Sequence, residues 1–105
     1  MPLVRAALLG DVGEAGLLGV EVAGHRICLA RLQGEEVYAF ADNCTHRDFP
    51  LSAGELDVED CYVTCEWHGA QFDVKTGDAL CLPATRPVKT YGVKVEGGEI
   101  WVDVG

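Results

Sequence analysis

The chain has few basic residues and no long hydrophobic run, and each shortage excludes a class of protein. Eight lysines and arginines face 17 aspartates and glutamates among 105 residues, which gives a formal net charge of -9. Such an acidic chain repels phosphate groups, so nucleic acid and anionic membrane are not expected partners, whereas a basic protein surface is. No apolar run is long enough to cross a bilayer, and Asp11 and Glu14 interrupt the apolar start of the chain before a signal-peptide core is complete. We therefore expect a cytoplasmic protein.

Cysteine is also scarce, with five residues in the chain. The count is odd and the spacing irregular, so these cysteines do not indicate the disulfide framework of a small secreted module. We expect reduced thiols unless a metal holds them. Cys28, Cys61 and Cys81 are expected to be buried free thiols.

Thirteen glycines separate short runs rich in Val, Ile, Leu and Tyr, and only four prolines accompany them. The predicted strands are Val4–Leu9, Leu17–Val22, Arg26–Leu32, Val37–Ala41, Tyr62–Cys65, Ala70–Asp73, Thr90–Val95 and Ile100–Val104. Gly97-Gly98 predicts a hairpin turn, and Ala23-Gly24 and Gln33-Gly34 are weaker turn signals. No window sustains the helical spacing of apolar residues. The pattern predicts one all-β domain over 1–105, a small antiparallel sandwich or barrel in which Trp101 belongs to the core.

The negative charge is concentrated in the middle of the chain. Residues 42–78 hold nine acids against Arg47 and Lys75, a net of -7, whereas residues 1–41 have a net of -2 and residues 79–105 a net of zero. The acids around Glu55–Asp60 could form a solvated loop or a docking surface for a basic partner.

Two short segments in this acidic region each combine a cysteine with a histidine. They are Cys44-Thr45-His46 and Cys65-Glu66-Trp67-His68. Thiolate and imidazole ligands suit either a tetrahedral zinc or an iron–sulfur cluster. A Cys₂His₂ zinc finger keeps its cysteines in one segment and its histidines in another, whereas here both segments are mixed. The mixed segments favour a diiron cluster, and the zinc alternative remains open.

These two segments resemble the two-box signature of Rieske [2Fe–2S] proteins. The similarity extends from about Ala41 to the C-terminus and includes Thr76-Gly77 and a proline loop at Leu82-Pro83-Ala84. It implies one [2Fe–2S] cluster in a two-loop subdomain at approximately 42–86. By the family's pattern, Cys44 and Cys65 bind one iron, and His46 and His68 bind the other. The shell implied around the cluster consists of Arg47, Trp67, Gly69, Ala70, Phe72 and Pro83.

The resemblance also indicates a subtype. Respiratory and photosynthetic members carry an extra cysteine in each box, where this chain has Phe49 and Trp67, so no disulfide can join the loops. They also place a serine and a tyrosine where this chain has Ala70 and Phe72. Without these hydroxyl donors, and in an acidic segment, we expect a potential near the low end of the Rieske range of roughly -150 to +300 mV.

The function implied by the resemblance is one-electron transfer. Only His25 remains after the cluster takes two of the three histidines, so an oxygen-activating iron with two histidines and a carboxylate cannot be built. The chain is similar to the Rieske ferredoxins of bacterial aromatic-ring dioxygenases. It would carry electrons from a flavin-dependent NAD(P)H reductase to a terminal oxygenase, as a monomer and without being an enzyme itself. The alternatives are an electron-transfer subunit of another enzyme, such as nitrite reductase, and a zinc-stapled interaction module.

Overall fold

The computed structural model describes residues 3–43, 50–65, 69–81 and 87–104. Within these ranges the chain forms strands and two single turns of 3-10 helix, Leu9–Asp11 and Leu51–Ala53, and no α-helix. The strands are β1 (Leu3–Leu8), β2 (Gly16–Val22), β3 (His25–Arg31), β4 (Val37–Ala41), β5 (Glu55–Asp57), β6 (Tyr62–Thr64), β7 (Gln71–Asp73), β8 (Ala79–Cys81), β9 (Thr90–Glu96) and β10 (Glu99–Asp103). Across the described ranges, no helix has both the length and the apolar character that a membrane span requires.

The larger sheet has six antiparallel strands in the order β1-β10-β9-β4-β3-β2. Its edge strands β1 and β2 also contact each other, so the sheet curls around its own inner face. Gly97 and Gly98 form the two-residue turn between β9 and β10, and both have positive φ, as a tight hairpin requires. Ala23 and Gly24 make the equivalent turn between β2 and β3. The predicted turns are confirmed at both places.

The smaller sheet consists of β5, β6, β7 and β8 in sequence order, all antiparallel. Gly54 precedes β5 and lies directly against the backbone of β6, where a methyl group would overlap the carbonyl oxygen of Thr64. Gly77 is similarly confined by the Val88 carbonyl and has a φ of +81°. Because these two glycines have no side chain, the smaller sheet packs closely against the segments that precede and follow it.

Two hydrophobic cores meet at β3 and β4, because these strands are buried on both faces. Ile27, Leu29 and Ala39 face the core inside the larger sheet, together with Ile100 and Val102. The alternate residues face a second core, shared with the smaller sheet; they are Cys28, Ala30 and Phe40. A strand buried on both faces is continuously apolar, which explains the run Ile27–Ala30.

The all-β prediction is confirmed, and each of the eight predicted strands is present with ends within one residue of those expected. β5 and β8 were not predicted; each has three residues, too few to show alternation. The expectation that Trp101 belongs to the core is wrong. Its neighbours Ile100 and Val102 point inward, so Trp101 lies half-buried on the outer face, paired with Arg5 and Lys94. The bounds 1–105 for the domain and 42–86 for the subdomain remain predictions.

Arg31 ties together two connections of the larger sheet. Its guanidinium donates to the carbonyl oxygens of Leu9 at 3.3 Å and Val12 at 2.9 Å, in the link between β1 and β2. It also donates to the Gly34 carbonyl at 2.7 Å, in the turn after β3. Three carbonyl groups therefore accept hydrogen bonds from one half-buried side chain, and the Leu9 carbonyl also accepts from the Val12 N–H.

We expect Arg31→Met to lower the free energy of unfolding by about 1–3 kcal/mol, because carbonyl groups at a partly buried site lose their donor. Arg5→Met is the matched control, since Arg5 makes an exposed ion pair with Glu99 at 3.0 Å. Exposed pairs contribute about 0–1 kcal/mol, so the control should stay close to the wild type. Denaturant unfolding followed by circular dichroism measures both; equal losses would contradict the bracing role of Arg31.

Candidate metal centre

Cys65 follows β6 directly and opens the second of the two segments that pair cysteine with histidine. Its side chain is fully buried. The Cys65 N–H donates to the carbonyl oxygen of Ala70 at 2.6 Å, which closes the base of the connection between β6 and β7. Gly69 has a φ of +72°, the left-handed conformation that glycine adopts without strain. The backbone thus fixes where this segment leaves and rejoins the smaller sheet.

The surroundings of Cys65 are apolar. Leu51, Val63, Ala70 and Phe72 are fully buried members of the same core. Ala70 and Phe72 have no hydroxyl group, so neither side chain can donate a hydrogen bond to a sulfur atom nearby. A thiolate here is protected from water and receives no O–H bond from these two positions. The low potential expected from the lack of such donors stays a prediction.

The first paired segment begins just after β4. Asp42 follows the last residue of that strand and is 6% exposed. Its carboxylate accepts hydrogen bonds from Ser52, one from the backbone N–H to Oδ1 and one from the hydroxyl to Oδ2, both at 2.7 Å. The chain therefore enters and leaves residues 43–51 at neighbouring points.

Of the ten predicted site residues, the structure places Cys65, Gly69, Ala70 and Phe72 together at the base of the β6–β7 connection. The others lie outside the described residues: Cys44, His46, Arg47, Trp67, His68 and Pro83. The described part of the chain contains no cluster of three or more His, Cys, Asp or Glu side chains able to hold a metal ion, and only one of the four predicted ligands belongs to that part.

The described part of the site fits a metal–sulfur group. Its one described donor is a buried thiol at the base of a short loop, and thiolate is the ligand that iron–sulfur clusters take. Sequence reasoning did not single out Asp42 and Ser52, whose side chains meet at the base of the first segment. A signal was present, because aspartate and serine often bond to nearby backbone, but their pairing across ten positions could not be foreseen.

The other described cysteines have different surroundings. Cys28 is fully buried in β3, and burial first, then the nearby Asp42 carboxylate, raises the pKa of its thiol well above the ordinary value. It is therefore a protonated core thiol, as expected. Cys61 is half-buried and its thiol faces the Val58 carbonyl at 3.6 Å. The side chain of Cys81 lies outside what the structure describes.

Comparison with protein families gives a match to the Rieske [2Fe-2S] domain over residues 3–92. The chain is 39% identical over 101 residues to the ferredoxin component of the naphthalene 1,2-dioxygenase system of Pseudomonas putida, covering 96% of this chain and 94% of that protein. It is 42% identical over 104 residues to the 3-phenylpropionate/cinnamic acid dioxygenase ferredoxin subunit of Escherichia coli (strain K12), covering 99% and 95%.

Solved structures show the same relationship. The ferredoxin of carbazole 1,9a-dioxygenase from Nocardioides aromaticivorans IC177 matches with a TM-score of 0.92 and 33% identity over 98% of both chains. The terminal oxygenase of the same organism's system matches this chain over only 30% of the oxygenase, at 32% identity and a TM-score of 0.83. A nitrite reductase small subunit has a TM-score of 0.85 but 21% identity, so it shares the fold alone.

The buried thiol at the closed base of the β6–β7 connection, the packing of the larger sheet against the smaller one, and these end-to-end similarities lead to one conclusion. The chain belongs to the Rieske [2Fe–2S] domain family, as a ferredoxin that binds one [2Fe–2S] cluster and carries electrons without being an enzyme itself.

Proposed function

We propose that this protein carries single electrons in the cytoplasm from a flavin-dependent NAD(P)H reductase to the terminal oxygenase of an aromatic-ring dioxygenase system. One observation carries the proposal: ferredoxin components of such systems match it from end to end, at 39% and 42% identity. The matched terminal oxygenase of Nocardioides aromaticivorans IC177, by contrast, aligns with this chain over only 30% of its own length. A solved complex of oxygenase and ferredoxin, again from carbazole 1,9a-dioxygenase, includes a ferredoxin that is 30% identical to this chain.

In this proposal the cluster is held by Cys44 and Cys65 on one iron and by His46 and His68 on the other. The surrounding shell consists of Arg47, Trp67, Gly69, Ala70, Phe72 and Pro83, in a single domain over 1–105 with the cluster-binding part at approximately 42–86. When bound, the cluster would supply a one-electron redox couple. The burial of Cys65, on the described side of the site, supports this assignment.

The chain's own residues contribute positioning and exclusion of water. Leu51 and Phe72 pack in the same fully buried core as Cys65, which keeps solvent away from its sulfur. The hydrogen bond from the Cys65 N–H to Ala70 holds the loop base in one conformation, which limits structural change when charge arrives or leaves. A rigid, dry site keeps the reorganisation that accompanies electron transfer small.

The surface charge supports a basic partner. Glu55, Glu59 and Asp60 are exposed on β5 and the turn that follows it; β5 pairs with β6, the strand that leads into Cys65. Negative charge on a transient carrier accelerates its encounter with a positively charged partner and makes that rate sensitive to salt. Neither alternative function has a specific observation in its favour, since the nitrite reductase likeness reaches the fold alone.

The purified protein should be coloured, and its reduced form should give the EPR signal of a histidine-ligated [2Fe–2S] cluster. Added to an NAD(P)H-dependent flavin reductase and the terminal oxygenase of the naphthalene system, it should support NAD(P)H-dependent hydroxylation of naphthalene. Hydroxylation should fall as salt screens the acidic surface. A colourless protein that contains zinc would contradict the proposal, and so would a coloured one that reduces neither this nor any related oxygenase.

Cys65→Ser should abolish the cluster absorbance, because a hydroxyl is a far poorer ligand for iron than a thiolate. Cys61→Ser is the matched control: Cys61 lies in the turn before β6, is half-buried against the same core, and its thiol donates to the Val58 carbonyl at 3.6 Å. The control should retain about as much iron and sulfide per chain as the wild type. Iron analysis and visible absorbance measure both; an unchanged Cys65→Ser spectrum would refute this ligand.

Ala70→Ser and Phe72→Tyr should each raise the midpoint potential, because a hydroxyl that donates toward a cluster sulfur stabilises the extra negative charge of the reduced state. Ala39→Ser is the control, since Ala39 is buried in the other core. The wild type should titrate in the lower part of the range of roughly -150 to +300 mV. A redox titration that moves neither variant upward relative to Ala39→Ser would refute the hydrogen-bond argument.

A further inference from the structure

Asp42 is a buried carboxylate that no part of the proposed electron-transfer site accounts for. It is 6% exposed, and both of its oxygens accept hydrogen bonds from Ser52 at 2.7 Å. Its own backbone N–H donates to the carbonyl oxygen of Arg26 in β3 at 3.0 Å. Burying a carboxylate costs several kcal/mol unless its oxygens are satisfied, and the two bonds from Ser52 offset part of that cost.

The two residues that form these bonds flank one of the segments with predicted ligands. Asp42 and Ser52 are ten residues apart, and the segment between them includes both Cys44 and His46. Their hydrogen bonds close the base of that segment, as the Cys65–Ala70 backbone bond closes the base of the other. Leu51, next to Ser52, is fully buried and anchors the returning chain in the core.

Gly19 in β2 leaves the space that this pair occupies. A methyl group at Gly19 would lie 2.6 Å from Oδ2 of Asp42 and 2.7 Å from Oγ of Ser52. Both distances are too short for a carbon atom, so any side chain here would displace the carboxylate or the hydroxyl. The φ of Gly19 is not in the left-handed region, so space rather than backbone conformation requires glycine.

We propose that Asp42 is a positioning residue: its bonds to Ser52, in the space left by Gly19, fix the base of segment 43–51 and so place Cys44 and His46 for the cluster. This inference rests on the proposed function, which assigns those two residues as ligands. A carboxylate suits the task because its charged oxygens form shorter and stronger bonds than neutral acceptors do. Groups that orient metal ligands in this way typically contribute about 10–100-fold to metal affinity.

The test compares Asp42→Ala with Asp57→Ala in the cluster-loaded protein. Asp57 is a matched control, because its carboxylate also accepts a backbone bond, from Asp60 N–H at 3.0 Å, in the turn between β5 and β6. Cluster loss is followed by the visible absorbance after an iron chelator is added. We expect Asp42→Ala to lose the cluster about 10-fold or more faster than the wild type, and Asp57→Ala within about 2-fold of it.

Two further pairs of variants keep the test decisive if Asp42→Ala does not fold. Ser52→Ala removes the hydroxyl donor but keeps the backbone N–H bond, whereas Ser52→Thr keeps both. Gly19→Ala should act like Ser52→Ala, with Gly10→Ala as its control because the Gly10 site is open. Faster cluster loss in Ser52→Ala and Gly19→Ala than in Ser52→Thr and Gly10→Ala supports the proposal.

Reduced-state EPR separates positioning from simple stabilisation. If Asp42 positions the ligands, the clusters that remain in Asp42→Ala and Ser52→Ala have shifted g values. Asp42→Asn keeps the shape of the side chain, with its amide oxygen accepting from the Ser52 N–H and its amide nitrogen donating to the Ser52 hydroxyl, and should restore the wild-type signal. Unchanged g values with a lower free energy of unfolding would overturn the positioning role. Equal cluster loss in the Asp42 and Asp57 variants would overturn it while leaving the proposed function intact. A wild-type protein without a cluster would refute both.

Discussion

The burial of β3 and β4 on both faces is the constraint on which the rest of the structure depends. One face of these strands closes the core inside the larger sheet through Ile27 and Leu29, and the other supports the smaller sheet through Cys28 and Phe40. The smaller sheet consists of three-residue strands, which could not be stable alone. The smaller sheet is therefore stabilised by its packing against the larger sheet. Cys65 belongs to the shared core, so the site is fixed by the same packing that joins the two sheets.

The strands of the larger sheet could be predicted because their apolar runs are long and end at glycine turns such as Gly97-Gly98. β5 and β8 could not, since Glu55–Asp57 places one leucine between two acids and Ala79–Cys81 is equally short. Their strand conformation comes from pairing with β6 and β7 rather than from local preference. Trp101 shows the opposite error: its size suggested the core, but strand alternation directs it outward.

The predicted ligands were easier to identify from the sequence than the residues that hold their segments in place. A cysteine followed within three residues by a histidine is rare enough to be noticed. Two such segments indicate an iron–sulfur cluster before any geometry is known. The support at Asp42, Ser52 and Gly19 comes from three separate parts of the chain. Each is a common residue in an unremarkable context. They can be recognised as a group only from their contacts in the folded chain. Contacts between residues far apart in sequence cannot be predicted from local patterns in a single sequence.

The two segments with predicted ligands are closed in physically different ways, and this difference has a consequence for the fold. The Cys65 segment is closed by a backbone bond within one hairpin, so it needs only the pairing of β6 with β7. The Cys44 segment is closed by side chains that require Gly19 to lie opposite Cys28 in the β2–β3 pairing. A shift of that register by one residue would place Leu18 or Val20 at the position of Gly19, and their side chains would fill the space of the carboxylate. The register of a hairpin in the larger sheet is therefore linked to the geometry of the first segment, although β2 supplies none of the proposed ligands.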